Sequence, residues 1–192
     1  MRKIPTLFLR DDPNDPHHVT SHVNPAAEWV FTTTSPGDMV ATRKYDGTCV
    51  MLDDNGHWWA RREVKPGKPA PAHFRMADHD EVTGKVMGWV PLVPGWNFFA
   101  MFRDAIEHAG NVLLPGTYEL CGPKIQGNPE GFKQHYLVRH ATAERIEYLD
   151  GRLPLSYSSL RTILTADAFT WEGIVWHHQD GRRAKLKRKD FR

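Results

Sequence analysis

The chain has 192 residues, of which 40% are hydrophobic and 25% charged, with a formal net charge of +2. This is the composition of a soluble globular protein long enough for one domain with a substantial core, and it excludes a bulk nucleic-acid-type charge excess. The start, Met-Arg-Lys-Ile-Pro, holds no continuous apolar run for a signal peptide, and no segment has transmembrane length, so a cytoplasmic protein without a membrane partner is expected.

Residues 1–35 read as an N-terminal strap: short apolar pieces (Ile4 to Leu9, then Trp29-Val30-Phe31) surround a largely polar stretch. From Met39 to Val50 the pattern suits a strand, a break at Asp46-Gly47 and a returning apolar strand. Asp53-Asp54-Asn55-Gly56 then signals a hairpin leading into Trp58-Trp59-Ala60-Arg61-Arg62. Residues 64–84 are rich in Pro, Gly and charge and read as a mobile surface loop. Asn97 to Ala109 fits a helix ended by Gly110, because Phe98, Phe102, Ala105, Ile106 and Ala109 share a face.

Strands are expected at Thr117 to Cys121 and at Tyr136-Leu137-Val138, and a helix capped by Ser158 or Ser159 through Leu164. The last strands, Gly173 to Trp176 and Ala184 to Lys187, are joined by a hairpin at Gln179-Asp180-Gly181. Strands joined by tight turns, with only two clear helices, predict an α+β domain with largely antiparallel sheets.

Four groups of residues share one charge logic. Lys44, in Lys44-Tyr45-Asp46-Gly47, could act as a nucleophile toward phosphorus if desolvation or nearby cations favour its neutral amine; Asp-Gly is equally a hairpin turn. Glu119 alternates with Tyr118 and Leu120 and so faces away from both. Glu172 leads the apolar strand Gly173-Ile174-Val175. Lys185 and Lys187 lie on one face of their strand, about 7 Å apart, a spacing suited to adjacent phosphates of a polyphosphate. Each has a plainer alternative: a solvated strand-end lysine, carboxylates that are ordinary exposed strand residues or partners in structural ion pairs, and lysines on an edge strand that discourage aggregation. The tail, with Arg182, Arg183, Lys185, Lys187, Arg188, Lys189 and Arg192 against Asp190, forms a local anion-attracting segment.

In this order, Lys44-x-Asp46-Gly47, Glu119 within Tyr-Glu-Leu-Cys-Gly, Glu172-Gly-Ile-Val and Lys185-Leu-Lys187 resemble motifs I, III, IV and V of the covalent nucleotidyltransferases. These comprise ATP- and NAD-dependent polynucleotide ligases and mRNA capping enzymes. Arg61 in Trp-Ala-Arg-Arg-Glu best matches motif Ia, although adjacent Arg62 leaves the choice open. The phrases Tyr-Glu-Leu-Cys-Gly-Pro-Lys and Trp-Ala-Arg look most like small stand-alone RNA ligases.

The resemblance implies a single nucleotidyltransferase domain over residues 1–192, ATP-grasp-like, with antiparallel sheets flanked by helices and no OB-fold domain. It implies an ATP-dependent RNA ligase that joins 5′-phosphate and 3′-OH RNA ends through a lysyl-AMP intermediate on Lys44. Arg61 would hold the ribose or phosphate and Glu119 a ribose hydroxyl. Lys185 and Lys187 would neutralise the α-phosphate, with Asp46 also in the nucleotide site. Val175 would pack under the adenine, with Tyr136 a candidate for its other face. Glu172 would bind Mg²⁺ or Mn²⁺. The partners expected are ATP and RNA, and the protein is expected to be a monomer. Two other functions fit the same residues: nucleotidyl transfer from GTP or to another acceptor, and a silent RNA-binding domain that keeps the fold.

The two cysteines, Cys49 and Cys121, are too few for a disulfide framework, lack zinc-type spacing and are expected to be small buried thiols. His18 and His22 read as solvated, and His177-His178 as a strand-end surface pair; Lys124 is a candidate contact for an RNA phosphate.

Overall fold

The computed structural model describes residues 3–35, 37–81, 83–110, 112–146 and 155–191. The order of elements is α1 (Trp29–Thr32), β1 (Met39–Lys44), β2 (Thr48–Leu52), β3 (Trp58–Val64), β4 (Arg75–Asp80), β5 (Lys85–Pro91) and α2 (Phe99–Ala109). It continues through β6 (Gly116–Cys121), β7 (Tyr136–Arg139), α3 (Tyr157–Thr165), β8 (Gly173–His178) and β9 (Arg183–Lys187). The strands are antiparallel and helices are few, an α+β architecture. Among the described residues no helix is long and apolar enough to cross a membrane. The chain divides into two compact units, Asp46–Thr142 together with Lys3, and Ile4–Tyr45 with Ala143–Arg192.

The first unit is a six-stranded sheet in the order β4-β5-β3-β2-β6-β7. The expected hairpin at Asp53–Gly56 joins β2 to β3, closed by the Gly56 N–H donating to the Asp53 carbonyl at 3.0 Å. One face carries Val50, Leu52, Ala60, Tyr118 and Leu120, and Phe102 and Ala105 of α2 pack with them in a single apolar core. The stretch 64–84 differs from its reading as a loop. It contains β4, an edge strand of Arg, Met, Asp and His that no apolar alternation announces. Backbone pairing to β5 holds it, with a bulge between Met76 and Asp78.

The second unit is a three-stranded sheet, β1-β8-β9. Its inner face presents Ile174, Trp176, Ala184 and Leu186 to a core shared with Leu7, Phe8, Val30, Leu160 and Leu164. The N-terminal strap therefore supplies core residues, and it also extends the sheet. Pro5 and Leu7 exchange backbone hydrogen bonds with Lys185, beside β9. On the other edge, residues 144–146 pair with Ala41 and Arg43 of β1. Within the strap, Trp29 to Thr32 form a short helix. Helix α3 is capped two or three residues earlier than expected, by Ser156, whose Oγ accepts from the Ser159 N–H at 3.1 Å.

Lys44-Tyr45-Asp46-Gly47 is not a hairpin: β1 and β2 on either side of it belong to different sheets. Gly47 leaves no room for a side chain, since a Cβ there would lie 2.3 Å from the Leu120 carbonyl oxygen and 2.9 Å from Glu119 Cγ.

Candidate active site

The outer face of the three-stranded sheet gathers most of the residues expected to meet phosphate. Register places Lys44, Gly173 and Lys187 side by side across β1, β8 and β9. The next row on the same face is Thr42, Val175 and Lys185. Three lysines thus stand within two rows, and the core lies on the opposite face because Ile174, Leu186 and Ala41 alternate with them. Gly173 keeps the rows flat: a Cβ there would sit 2.1 Å from the Leu186 carbonyl oxygen and 2.7 Å from Lys187 Cα. Gly173→Ala should therefore destabilise the protein by about 2 kcal/mol or more through forced backbone displacement, read as a lower urea midpoint.

Glu172, one residue before β8, ties the lysines together. Its Oε2 accepts from Lys44 Nζ at 2.5 Å, and its Oε1 accepts from Lys187 Nζ. The Glu172 side chain is 7% exposed, and those of Lys44 and Lys187 are 20% and 18% exposed. Burial pushes the Glu172 carboxyl up, but the charges and hydrogen bonds of Lys44 and Lys187 together outweigh it and hold the carboxyl below its usual value. At Lys185 burial acts first, then the charges of Lys187 and Lys44, and the amine falls to about 8 against a smaller opposing pull from Asp190 and Glu172. The group is a preassembled cationic cradle around one carboxylate.

The sign of the Lys185 shift gives a prediction. An amine whose folded pKa lies below its unfolded value costs stability at low pH, and that cost is relieved as pH rises from about 8 toward 10.5. NMR titration of the ¹³C-methylated protein should show a lysine signal with a midpoint near 8 that is absent in Lys185→Gln. Pyrophosphate, by adding negative charge, should raise that midpoint.

The end of β9 is held by Asp190, which is fully buried. Its Oδ1 accepts from Arg10 Nη2 at 2.5 Å and its Oδ2 from the Lys187 N–H at 2.8 Å. Thr42 Oγ1 lies 2.9 Å from His177 Nε2, so Thr42 and His177 share the face with the lysines. The period of two from Lys44 could have found Thr42. His178 departs from the expected surface pair, since its ring packs edge-on against Trp29 at 5.5 Å.

The divalent ion implied by the resemblance would need oxygen ligands. Glu172 offers one carboxylate with both oxygens occupied by ammonium groups. Among the described residues no group of three His, Cys, Asp or Glu ligands includes it. A single carboxylate suits Mg²⁺ when the remaining ligands are water and substrate phosphate. The donor set fits on condition that phosphates take over the lysines.

The other candidates belong to the first unit. Glu119 is buried on β6, on the face opposite Tyr118 and Leu120. Its Oε2 lies 3.0 Å from His140 Nε2, and His140 Nδ1 lies 2.9 Å from Thr117 Oγ1. Neither His140 nor Cys49, the cross-strand partner of Glu119, stood out from spacing, because 21 residues separate His140 from Glu119. Arg61 pairs across strands with Trp89 and alternates with core residue Ala60, so it lies on Glu119's face, whereas Arg62 is exposed. The Asp46 N–H donates to Glu130 Oε1 at 2.9 Å. Tyr136 is exposed and packs edge-on against Phe132, and Lys124 is exposed with φ of 67°.

No protein-family model matches the chain. Individual proteins do. The resemblance is to RNA ligases. RNA ligase 1 of Mus musculus is 23% identical over 271 residues, covering 97% of this chain and 79% of the relative. RNA ligase 1 of Danio rerio is 23% identical over 270 residues with the same coverage, and that of Rattus norvegicus 22% over 271. The aligned span exceeds this chain's 192 residues, so the RNA ligases carry insertions relative to it. The similarity to these RNA ligases is distant and runs nearly end to end.

Proposed function

We propose that the chain is an ATP-dependent RNA ligase that works through a covalent lysyl-AMP intermediate. The observation that carries this reading is the gathering of Lys44, Lys185 and Lys187 around Glu172 on one sheet face. Similarity to proteins named RNA ligase 1 supports the class of reaction and RNA as the acceptor.

Lys44 Nζ attacks the α-phosphorus of ATP, forming a P–N bond as the α–β bridging P–O bond breaks. Pyrophosphate leaves and the amine proton passes to solvent. An oxygen of the RNA 5′-phosphate then attacks the same phosphorus, breaking the P–N bond and returning Lys44. Finally a 3′-OH attacks the RNA 5′-phosphorus, releasing AMP and its own proton and forming the phosphodiester. Paired to Glu172, Lys44 is an ion-pair partner and not a nucleophile, so attack requires its release from that carboxylate. Arriving phosphates supply the replacement counter-charge, with Lys185 and Lys187 positioned to neutralise the α-phosphate. Mg²⁺ or Mn²⁺, held by Glu172 and phosphate oxygens, would add charge neutralisation when bound. Val175, between Thr42 and Lys185 in its row, is the surface we assign to the adenine.

The test is sealing of matched RNA and DNA strands bearing 5′-phosphate and 3′-OH ends, with ATP or GTP and Mg²⁺. RNA joined with ATP is the expected result. Sealing with GTP alone, or adenylylation of the protein without sealing of any RNA, would replace the reading with another nucleotidyl transfer. RNA binding without any nucleotide chemistry would identify a silent binding domain.

A further inference from the structure

We propose that Cys49, Glu119 and His140 form a binding site for a transition-metal ion of the zinc type, with a fourth coordination position left for water or a substrate oxygen. The site goes beyond the RNA-ligase reading and does not depend on it. Among the described residues this is the one group of three such side chains whose ligand atoms all lie within 4.8 Å of one another. Strand pairing builds it. Cys49 on β2 and Glu119 on β6 are register partners, so their side chains leave the same face of the sheet. His140 enters from the turn after β7, which pairs with β6.

The geometry is close to what such an ion requires. Tetrahedral zinc with ordinary bond lengths separates its ligand atoms by about 3.4 to 3.6 Å. Glu119 Oε2 and His140 Nε2 are 3.0 Å apart, and the Cys49 thiol lies within 4.8 Å of both, so a side-chain movement on the order of 1 Å completes the set. The partner of His140 is already placed. Thr117 Oγ1, 2.9 Å from Nδ1, can accept or donate, so Nε2 can give up its proton and turn its lone pair inward while the other nitrogen stays hydrogen-bonded. The Glu119 stem is pinned, since Gly47 packs so tightly that a Cβ would lie 2.9 Å from Glu119 Cγ.

Charge and softness point to the same class of ion. A thiolate, a carboxylate and a neutral imidazole balance a divalent cation, giving a neutral group at a half-buried to buried position. Loading releases one proton, from the Cys49 thiol. A mixed S, O and N donor set favours Zn²⁺ or Co²⁺ over Mg²⁺, which prefers an all-oxygen shell. Three protein ligands is the number found where a zinc ion keeps an open position for chemistry.

The test is titration of the reduced, nucleotide-free protein with CoCl₂, read by absorption. One equivalent should bind with a thiolate-to-cobalt charge-transfer band. One equivalent of ZnCl₂ should abolish the band, and excess MgCl₂ should leave it. Cys49→Ser should lose the band, His140→Ala should weaken binding by about 100-fold or more, and Cys121→Ala should keep the band. No band in the wild-type protein would overturn the proposal, as would a band that persists unchanged in Cys49→Ser or His140→Ala, or one lost only in Cys121→Ala. Because no nucleotide is present, failure here leaves the ligase reading standing, and failure of RNA sealing leaves this site standing.

Discussion

Alanine at position 44 is expected to remove ATP-dependent sealing of 5′-phosphorylated RNA by more than about 1,000-fold, while RNA that already carries a 5′-adenylyl group is still sealed within about tenfold of the wild-type rate. The asymmetry follows from the chemistry. Lys44 is required to make and hand over the adenylate, whereas the last step joins a 3′-OH to an activated end with AMP as leaving group. The fold should survive, because Glu172 keeps Lys187 as its partner when Lys44 is shortened. Lys44→Arg should show the same loss, since a guanidinium preserves the ion pair but is not a nucleophile at neutral pH. Gel assays with the two RNAs separate the steps. Equal sealing of 5′-phosphorylated RNA by Lys44→Ala would assign the covalent role elsewhere or nowhere.

Removing the carboxylate that Lys44 shares should have the largest effect on stability. Glu172→Ala leaves the ammonium groups of Lys44 and Lys187 without their counter-ion, next to Lys185, and should cost about 3 kcal/mol in urea unfolding. That is the low end for a broken buried pair, because the lysine ends keep 18–20% of their surface in water. The pH dependence has a definite sign. The folded Glu172 carboxyl titrates below its usual value of 4.5, so its contribution is fully present above pH 4.5 and is lost as pH falls through the lower folded value. The gap between wild type and Glu172→Ala should therefore narrow in acid. Pyrophosphate should stabilise Glu172→Ala more than wild type, because the anion replaces the missing carboxylate. A variant as stable as wild type at pH 7 would show that the lysines do not depend on Glu172.

Much of this architecture was legible in local sequence. The Asp53–Gly56 hairpin, the helix ended by Gly110, and the pairing of apolar Ile174 and Trp176 with Leu186 and Ala184 all follow from short-range patterns. Alternation also put Lys185 and Lys187 on one face and Glu119 opposite Tyr118. What escaped depends on long-range pairing. β4 has no apolar alternation and exists through its partner β5. The separation of β1 and β2 into different sheets cannot be read from Asp46-Gly47, which suits a hairpin equally well. For the candidate site, the residue types were legible, but Glu172's double ion pair was not, since it requires strands 128 residues apart to meet. Cys49 looked like an ordinary buried thiol because its neighbours Glu119 and His140 are distant in sequence.

The most direct measurement of the central claim is mass-spectrometric mapping of the protein after incubation with ATP and Mg²⁺, without RNA. The account predicts one AMP adduct per chain, located on the peptide containing Lys44 and removed by added pyrophosphate, with no adduct in Lys44→Ala. An adduct on Lys185 or Lys187, or no covalent AMP while RNA is still sealed, would contradict it.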